Sequence, residues 1–203
     1  MAVTLENLYP LIVPRNYYSP GTWDLPHHNL AITELILTWV SFQGNESMYY
    51  LTYDEYQYLN ETQPNWQQQS FENLRYLTSE DEYFCTHFLK SEHSKNLVYV
   101  AFMNHDGIGS SRILLSEELR KVFPNGYFIA IPDRSCGFAI DKNASADELS
   151  EIRSLIKNMF EEATTPMSPT LYDVSDFKVI NNWTIPINQD YANNLIKNLN
   201  TLC

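Results

Sequence analysis

Helix-start signals recur along this chain and alternate with short runs of β-branched and aromatic residues. The clearest is Ser145-Ala146-Asp147-Glu148, a capping box in which the Ser side chain caps the Glu148 amide and the Glu side chain reaches back. Thr52-Tyr53-Asp54-Glu55 has the same form, and Asn65-Trp66-Gln67-Gln68 repeats it with Asn as the cap. This alternation predicts an α+β fold, a single domain in which helices pack on a mostly antiparallel sheet.

The predicted strands are short apolar runs that end at turn residues. Residues 35–42 are rich in β-branched and aromatic side chains, and the turn at 43–46 is followed by apolar residues 48–51. This pattern indicates a β-hairpin, although a helix over residues 30–42 stays open as the alternative. Further strands are predicted at residues 96–103, 127–131 and 136–140, the last two joined by a corner at 132–135.

The first thirty residues are predicted to be irregular, with a weak helix over residues 4–9. They contain Pro10, Pro14, Pro20 and Pro26, which rule out a long helix. The predicted organisation is therefore an irregular segment over residues 1–30 and one α+β domain over residues 31–203.

The composition indicates a folded protein of the cytoplasm. The 203 residues are 44% hydrophobic, which is enough for a sizeable core. No run of 18 apolar residues is present, and no Lys or Arg precedes the first short apolar run, so neither a membrane span nor a signal peptide is expected. Three cysteines without a CxxC spacing fit a reducing compartment.

Negative charge and aromatic residues are concentrated in the first part of the chain. The net charge is −12, and residues 1–84 hold eleven acidic residues against only Arg15 and Arg75. Ten of the 14 tyrosines lie in the same part. Without a basic stripe, direct binding of nucleic acid is not expected. An acidic, tyrosine-rich surface suits a basic protein partner, and the alternative is that the aromatic residues are core and the acids confer solubility.

Five short segments carry a resemblance to a known family. In chain order they are Met48-Tyr49-Tyr50-Leu51-Thr52, Phe71-Glu72-Asn73-Leu74, Ser110-Ser111-Arg112-Ile113-Leu114-Leu115, Phe128-Ile129-Ala130-Ile131-Pro132-Asp133-Arg134 and Met167-Ser168-Pro169-Thr170-Leu171-Tyr172. This order resembles the YtpQ-like family of uncharacterised bacterial proteins over about residues 35–183. That family has an Ala-x-x-Asn-Leu helix, a Ser-Arg-Leu-Leu segment, an Ile-Pro-x-Arg corner and a Pro-Leu-Ser loop.

Two departures from the family pattern are visible: Ser70-Phe71-Glu72 stands where Ala is usual, and Pro166-Met167-Ser168 replaces Pro-Leu-Ser. The resemblance implies one α+β domain and carries no activity.

The polar candidates for chemistry are Arg112, Asp133 and Arg134. They would serve as an anion-binding or structural polar site, and with Ser168 they are the best candidates for a dispersed enzyme site. Asp133 and Arg134 are adjacent and would point in opposite directions on extended chain, so a structural ion pair of Arg134 with another carboxylate is favoured.

Other candidates have weaker support. Cys136 is expected to be a small buried side chain rather than a nucleophile. Asp106-Gly107-Ile108-Gly109 lacks the third glycine of a dinucleotide site. The five histidines show no metal-ligand spacing, and neither a metal nor a cofactor is expected.

The leading hypothesis is a non-enzymatic, acidic interaction protein, for example an immunity-type inhibitor that binds a basic partner such as a toxin. The alternatives are an enzyme with a dispersed polar site and a sensor of small anions or nucleotides. The oligomeric state is left open. The predicted contact residues are Asp54, Glu55, Tyr58, Glu61, Trp66, Glu80, Asp81 and Glu82.

Overall fold

The structure is a computed structural model that describes residues 3–17, 25–43, 47–80, 84–104 and 106–179. By their contacts the described residues form two compact units. The first comprises the chain up to Leu77 together with Lys178 and Val179, and the second comprises Thr78–Phe177. Each unit contains one antiparallel sheet, so the predicted α+β class is confirmed, with the strands divided between two sheets. The prediction of one domain over residues 31–203 stays a prediction.

The sheet of the first unit is built around one long strand. Its strands are β1 (Leu8–Pro14), β2 (His28–Asn29), β3 (Leu35–Gln43) and β4 (Ser47–Tyr50). β3 pairs with the other three, all antiparallel. Every residue from Leu35 to Ser41 is buried, as expected for a central strand covered on both faces. The predicted hairpin is confirmed by the pairing of β3 with β4, and the helical alternative is wrong.

The expectation of irregular chain over residues 1–30 is wrong for β1 and β2. Residues Leu5–Asn7 form a 3-10 helix, and β1 then pairs with β3 over seven residues, from Leu8 opposite Ser41 to Pro14 opposite Leu35. β1 is the terminal strand of the order β1-β3-β2. Proline is tolerated in edge strands because its missing amide need not enter the ladder, so Pro10 and Pro14 exclude a helix without excluding a strand.

Two helices follow this sheet in the chain, α1 (Tyr53–Thr62) and α2 (Trp66–Glu80). α1 starts at the predicted capping box, with Thr52 as the N-cap and Glu55 reaching back to it. One core cluster joins the helices to the strands, and it consists of Leu8, Trp39, Leu51, Leu59 and Trp66. Trp39 lies edge-on to Trp66 with ring centroids 4.8 Å apart.

The sheet of the second unit has five strands in the order β5-β6-β8-β7-β9. The bounds are β5 (His87–Lys90), β6 (Leu97–Phe102), β7 (Tyr127–Asp133), β8 (Cys136–Asp141) and β9 (Tyr172–Asp173). The predicted strands near 96–103, 127–131 and 136–140 are confirmed as β6, β7 and β8. β7 runs through Pro132 to Asp133, two residues beyond the predicted end at residue 131. Its pairing with β8 is irregular between Ala130 and Asp133.

Most helices of this unit lie in the connections between strands, and a 3-10 helix over Val174–Phe177 follows β9. Gly109–Leu114 forms a 3-10 helix, and α3 (Ser116–Val122) follows it. α4 (Ala146–Glu162) starts at the predicted Ser145–Glu148 capping box and buries Ile152 and Ile156 against the sheet. None of the helices in the described ranges is long and apolar enough to cross a membrane. The predicted helix over residues 191–202 falls outside the described residues.

Candidate functional site

α1 presents a polar face whose geometry follows from its sequence. Asp54, Tyr58 and Glu61 are spaced i, i+4 and i+7, so they lie on one side of the helix. Leu59 is buried on the opposite side, where it joins the core cluster. Asp54, Tyr58 and Glu61 are all exposed, and 55% of the surface of Tyr58 is accessible. Two carboxylates therefore flank one exposed aromatic ring.

Glu55 has a different role from its neighbours on α1. Its Oε2 accepts hydrogen bonds from the Thr52 amide at 2.9 Å and from the Thr52 hydroxyl at 2.8 Å. These bonds close the capping box and fix the start of the helix. The carboxylate also sits at the positive end of the helix dipole. Glu55 is thus engaged in the fold of α1, and Asp54, Tyr58 and Glu61 form the outward face.

The basic residues of the first 84 positions are held by other contacts. Arg15 donates to Asn29 Oδ1 at 2.7 Å and to the Thr33 carbonyl at 3.0 Å. Arg75 is 2% exposed, and its Nη1 lies 2.8 Å from Glu72 Oε1. No other Lys or Arg occurs before residue 85. The negative charge of the α1 face is therefore not neutralised by a cation from this part of the chain.

The prediction that Trp66 is a contact residue is wrong. The residue is 1% exposed, and its Nε1 donates to Asn60 Oδ1 at 2.9 Å. Trp66 is the first residue of α2. Its side chain packs in the core because it contacts Trp39 of β3. Glu80 is the last residue of α2; its side chain, Asp81 and Glu82 lie outside the described part of the chain.

In the second unit, the buried Arg112 forms an ion pair with a partly exposed carboxylate. The arginine is 1% exposed, and its Nη2 lies 2.8 Å from Asp106 Oδ2. Asp106 also accepts the Ile108 amide through Oδ1 at 3.0 Å. A buried guanidinium requires such a partner because its desolvation is costly. The Asp106 carboxylate thus fixes the loop that leads into the 3-10 helix.

Asp133 stabilises the corner between β7 and β8. Its Oδ1 accepts the Ser135 amide at 2.8 Å and hydroxyl at 2.6 Å. Its Oδ2 accepts the Thr165 amide at 2.9 Å and hydroxyl at 3.0 Å. Partial burial alone would raise the pKa of Asp133, but the hydrogen bonds from Ser135 and Thr165 outweigh it and lower the pKa below its usual value. A carboxylate that accepts four hydrogen bonds stabilises the corner and is a poor proton acceptor.

Arg134 lies at the same corner through its backbone. Its amide donates to the Thr165 carbonyl at 3.1 Å, and its carbonyl accepts the Ser110 amide at 3.2 Å. A Cβ on Gly107 would stand 4.0 Å from Arg134 Nη2, so the guanidinium lies over the loop of Asp106. The structure therefore brings Arg112, Asp133 and Arg134 to one corner. No pairing between Asp133 and Arg134 is among the described ion pairs.

Ser168 belongs to a neighbouring part of the same unit. Its hydroxyl shares a hydrogen bond of 2.6 Å with the Tyr172 hydroxyl, and its amide donates to the Ile131 carbonyl at 2.9 Å. These bonds attach the residues after α4 to the side of β7. The four polar candidates thus have structural contacts, and Asp106, Ser135 and Thr165 are the partners that sequence reasoning missed. The bonds from Thr165 to Asp133 span 32 residues, so no local pattern indicates them, whereas those from Ser135 span only two.

Two glycines allow the 3-10 helix to contact the β7–β8 corner. A Cβ on Gly109 would stand 2.0 Å from the Ser135 carbonyl oxygen. A Cβ on Gly137 would stand 2.8 Å from Ile113 Cγ2 and 3.1 Å from Ser110 Cα. The distance at Gly109 leaves no room for a side chain, and both distances at Gly137 are shorter than ordinary van der Waals contact. Gly137 thus marks a close approach between β8 and the backbone of the 3-10 helix.

The two described cysteines are buried side chains. Burial raises the pKa of Cys136 to about 12, with a further contribution from the Asp133 charge. Burial raises the pKa of Cys85 to about 11. Because the thiolate is the nucleophile, burial disfavours the reactive form of both thiols. The expectation that Cys136 is a small buried residue is confirmed by its 3% exposure.

We expect Asp133→Asn to destabilise the protein by about 1–2 kcal/mol at neutral pH, because an amide cannot accept all four bonds. The pKa of the Asp133 carboxyl is lower in the folded state than in the unfolded state. Its contribution to the free energy of unfolding is therefore complete above the unfolded pKa of about 3.9. This contribution is lost as the pH falls through the folded pKa. Urea unfolding of the wild type and of Asp133→Asn from pH 7 to pH 3 measures the difference between their free energies of unfolding. Glu92→Gln, an exposed control, should change little. A difference between wild type and Asp133→Asn that is independent of pH would contradict this role.

Within the described residues, no group of three or more His, Cys, Asp or Glu side chains could hold a metal ion. The resemblance to the YtpQ-like family stays a prediction. Comparison of the chain with protein-family models, with curated proteins and with solved structures finds no match in any of the three.

Proposed function

We propose that this protein is a non-enzymatic binding protein whose α1 face contacts a basic protein partner. The observation that carries the proposal is the outward face of Asp54, Tyr58 and Glu61, which combines exposed carboxylates with an exposed aromatic ring. An immunity-type inhibitor that neutralises a basic toxin is the specific form of this function that we favour.

Charge supports a basic partner. Oppositely charged surfaces accelerate encounter and disfavour partners of the wrong sign. The two arginines of residues 1–84 are engaged by Asn29, Thr33 and Glu72, and none of the described ion pairs joins either of them to a carboxylate of α1. Gln57 Nε2 donates to Glu61 Oε1 at 2.9 Å, which orients this carboxylate without neutralising it.

The exposed tyrosines would contribute apolar surface that becomes buried when the partner binds, which charged side chains alone do not provide. Tyr58 is 55% exposed, and Tyr53 on the same helix is 58% exposed. Tyr49 in β4 is 51% exposed. Tyrosine is enriched among the residues that dominate binding energy. A long basic side chain lying over such a ring also gains a cation–π contact.

A triple variant tests this face directly. Asp54→Asn, Tyr58→Ala and Glu61→Gln together should weaken partner binding by about 100-fold, since loss of an interface anchor alone costs about 2 kcal/mol. Affinity capture from native lysate at low salt, followed by identification of the bound protein and titration with the purified partner, provides the measurement. The wild type should retain a basic protein in stoichiometric amount, and high salt should weaken the complex.

α4 offers a matched control. Glu151, Leu155 and Glu162 are exposed and lie on one side of that helix, so Glu151→Gln, Leu155→Ala and Glu162→Gln remove the same number of charges and one large side chain. This variant should bind the partner normally. Equal losses in both variants, an acidic partner, or no stoichiometric partner at low salt would contradict the proposal. The toxin form further requires that the partner inhibits growth when expressed alone and that co-expression of this protein relieves the inhibition.

A further inference from the structure

We propose that a cleft in the second unit binds a small neutral polyhydroxylated molecule, a mono- or disaccharide. The cleft has a volume of about 320 Å³, which lies in the range of small-molecule sites. It is at the end of the sheet where β6 begins, β8 ends and the turn before β7 lies. All its lining residues belong to Thr78–Phe177, so the proposal does not depend on the function proposed for the α1 face.

The neutral polar lining of the cleft supplies both donors and acceptors. It includes the carboxamides of Asn96, Asn125 and Asn143 and the hydroxyls of Ser91 and Ser94. Each carboxamide has an acceptor oxygen and an NH₂ donor, and each serine hydroxyl can donate and accept. A sugar hydroxyl also does both, so neighbouring hydroxyls of one ring can pair with several of these groups at once.

The three carboxamides are not engaged by the fold. Asn96, Asn125 and Asn143 are all exposed, and no hydrogen bond joins their side chains to another residue of the described ranges. Asn96 and Asn143 bond through their backbone amides, to Ser94 Oγ at 3.2 Å and to Asp141 Oδ1 at 2.9 Å. A ligand can therefore pair with these side chains without breaking contacts of the protein.

Bonded turns hold two walls of the cleft in place. The Ser91 amide donates to the Asn96 carbonyl at 2.8 Å and closes the turn between β5 and β6. The Gly126 amide donates to the Phe123 carbonyl at 3.0 Å and closes the turn before β7. A site that is held in its binding geometry loses less conformational entropy when a ligand binds.

The charged part of the lining disfavours an anionic ligand. Asp141 and Glu148 line the cleft, and no Lys or Arg is among its lining residues. Hydrogen bonds from the amide and hydroxyl of Ser145 and from Ser91 lower the pKa of Glu148, so this carboxyl is ionised at neutral pH. A phosphorylated or carboxylated ligand would therefore meet charges of its own sign.

The commitment of both carboxylates to the fold favours a neutral ligand over an amine. Glu148 Oε2 accepts the Ser145 amide and hydroxyl, each at 2.8 Å, and these bonds cap α4. Asp141 Oδ1 accepts the Asn143 amide in the turn after β8. The groups of the lining that the fold leaves uncommitted are thus mainly the neutral carboxamides.

The apolar part of the lining is aliphatic. It consists of Leu97, Val98, Val122, Pro124 and Ala144. No aromatic ring is among the residues that line the cleft, so a nucleobase would find no stacking partner there. Aliphatic surface can cover the C–H groups of a sugar ring and remove them from water.

The test is saturation-transfer difference NMR with D-glucose, D-galactose, D-mannose, N-acetyl-D-glucosamine, maltose and lactose. At least one of these sugars should bind with a Kd of about 1 mM or tighter. Asn96→Ala, Asn125→Ala and Asn143→Ala together should weaken that binding by about 100-fold, since loss of each hydrogen-bonding side chain costs about fivefold. Thermal unfolding of this variant should match that of the wild type, because the three side chains hold no contact of the fold.

Asn158 provides a matched control, since it is exposed on α4 and does not line the cleft. Asn125→Ala should weaken sugar binding by about fivefold, and Asn158→Ala should leave it unchanged. The triple variant of the α1 face should also bind the sugar normally, so the two proposals can fail separately.

Three results would overturn the sugar site. The first is that no sugar of the panel binds, and the second is that the triple asparagine variant binds as well as the wild type. The third is a charged ligand that binds more tightly, either the phosphorylated form of the same sugar or spermidine displacing the sugar. That result would assign the cleft to an anion or to an amine instead.

Discussion

Gly109→Ala is expected to destabilise the protein by about 3 kcal/mol or more, because the added methyl group would stand 2.0 Å from the Ser135 carbonyl oxygen. Relief of this clash requires the 3-10 helix to move away from the β7–β8 corner. That movement would break the bond between the Ser110 amide and the Arg134 carbonyl, which is 3.2 Å long. Urea unfolding followed by far-UV circular dichroism measures the loss.

Gly107 provides the matched comparison, two residues away in the same loop. A Cβ there would find its nearest described neighbour 4.0 Å away, but the residue has φ of 76°. Gly107→Ala should therefore cost only the left-handed backbone penalty of about 1–2 kcal/mol, and Gly107→Asn less, because Asn tolerates this conformation. A smaller effect at Gly109 than at Gly107 would mean that the 3-10 helix does not contact the corner closely.

Trp66→Ala is expected to cost about 3–5 kcal/mol, the usual result of emptying a large buried site. Trp66 is 1% exposed and packs with Trp39, Leu8, Leu51 and Leu59. The substitution would also leave Asn60 Oδ1 without the indole donor that lies 2.9 Å away. Thermal and urea unfolding measure the loss of stability.

Trp66→Phe separates packing from any role in recognition. It keeps a ring in the core and loses only the hydrogen bond and part of the volume, so the cost should fall to about 1–2 kcal/mol. Binding of the partner to this folded variant should equal that of the wild type. Full stability of Trp66→Ala together with loss of partner binding would return Trp66 to the contact surface.

Sequence reasoning succeeded where a structure depends on neighbouring residues. Ser145 and Glu148 determine the start of α4 by bonds that span three positions, and Thr52 and Glu55 do the same for α1. The hairpin of β3 and β4 follows from the apolar run and the turn residues between its strands. Such signals lie within a few residues of the structure that they specify.

The errors arise where distant contacts decide the outcome. β1 forms because β3 supplies its partner strand, which no proline count in residues 1–30 can indicate. Trp66 could be either an interface anchor or a core residue by type, and only its packing against Trp39 distinguishes the two. At the polar corner, Arg112 and Asp133 were identified as candidates, but the Asp133 bonds to Thr165 cross 32 positions. The roles of these residues thus depend on the tertiary fold.

The buried thiols make one of the two units separately observable. Cys85 and Cys136 both belong to the unit of Thr78–Phe177, and no cysteine occurs in the first 84 residues. Because both side chains are buried, alkylating reagents can modify them only when the surrounding structure opens. The rate of alkylation at each thiol under native conditions therefore reports the free energy of opening of that sheet. Tryptophan fluorescence of Trp39 and Trp66 reports on the other unit, so a single sample distinguishes concerted unfolding from independent unfolding.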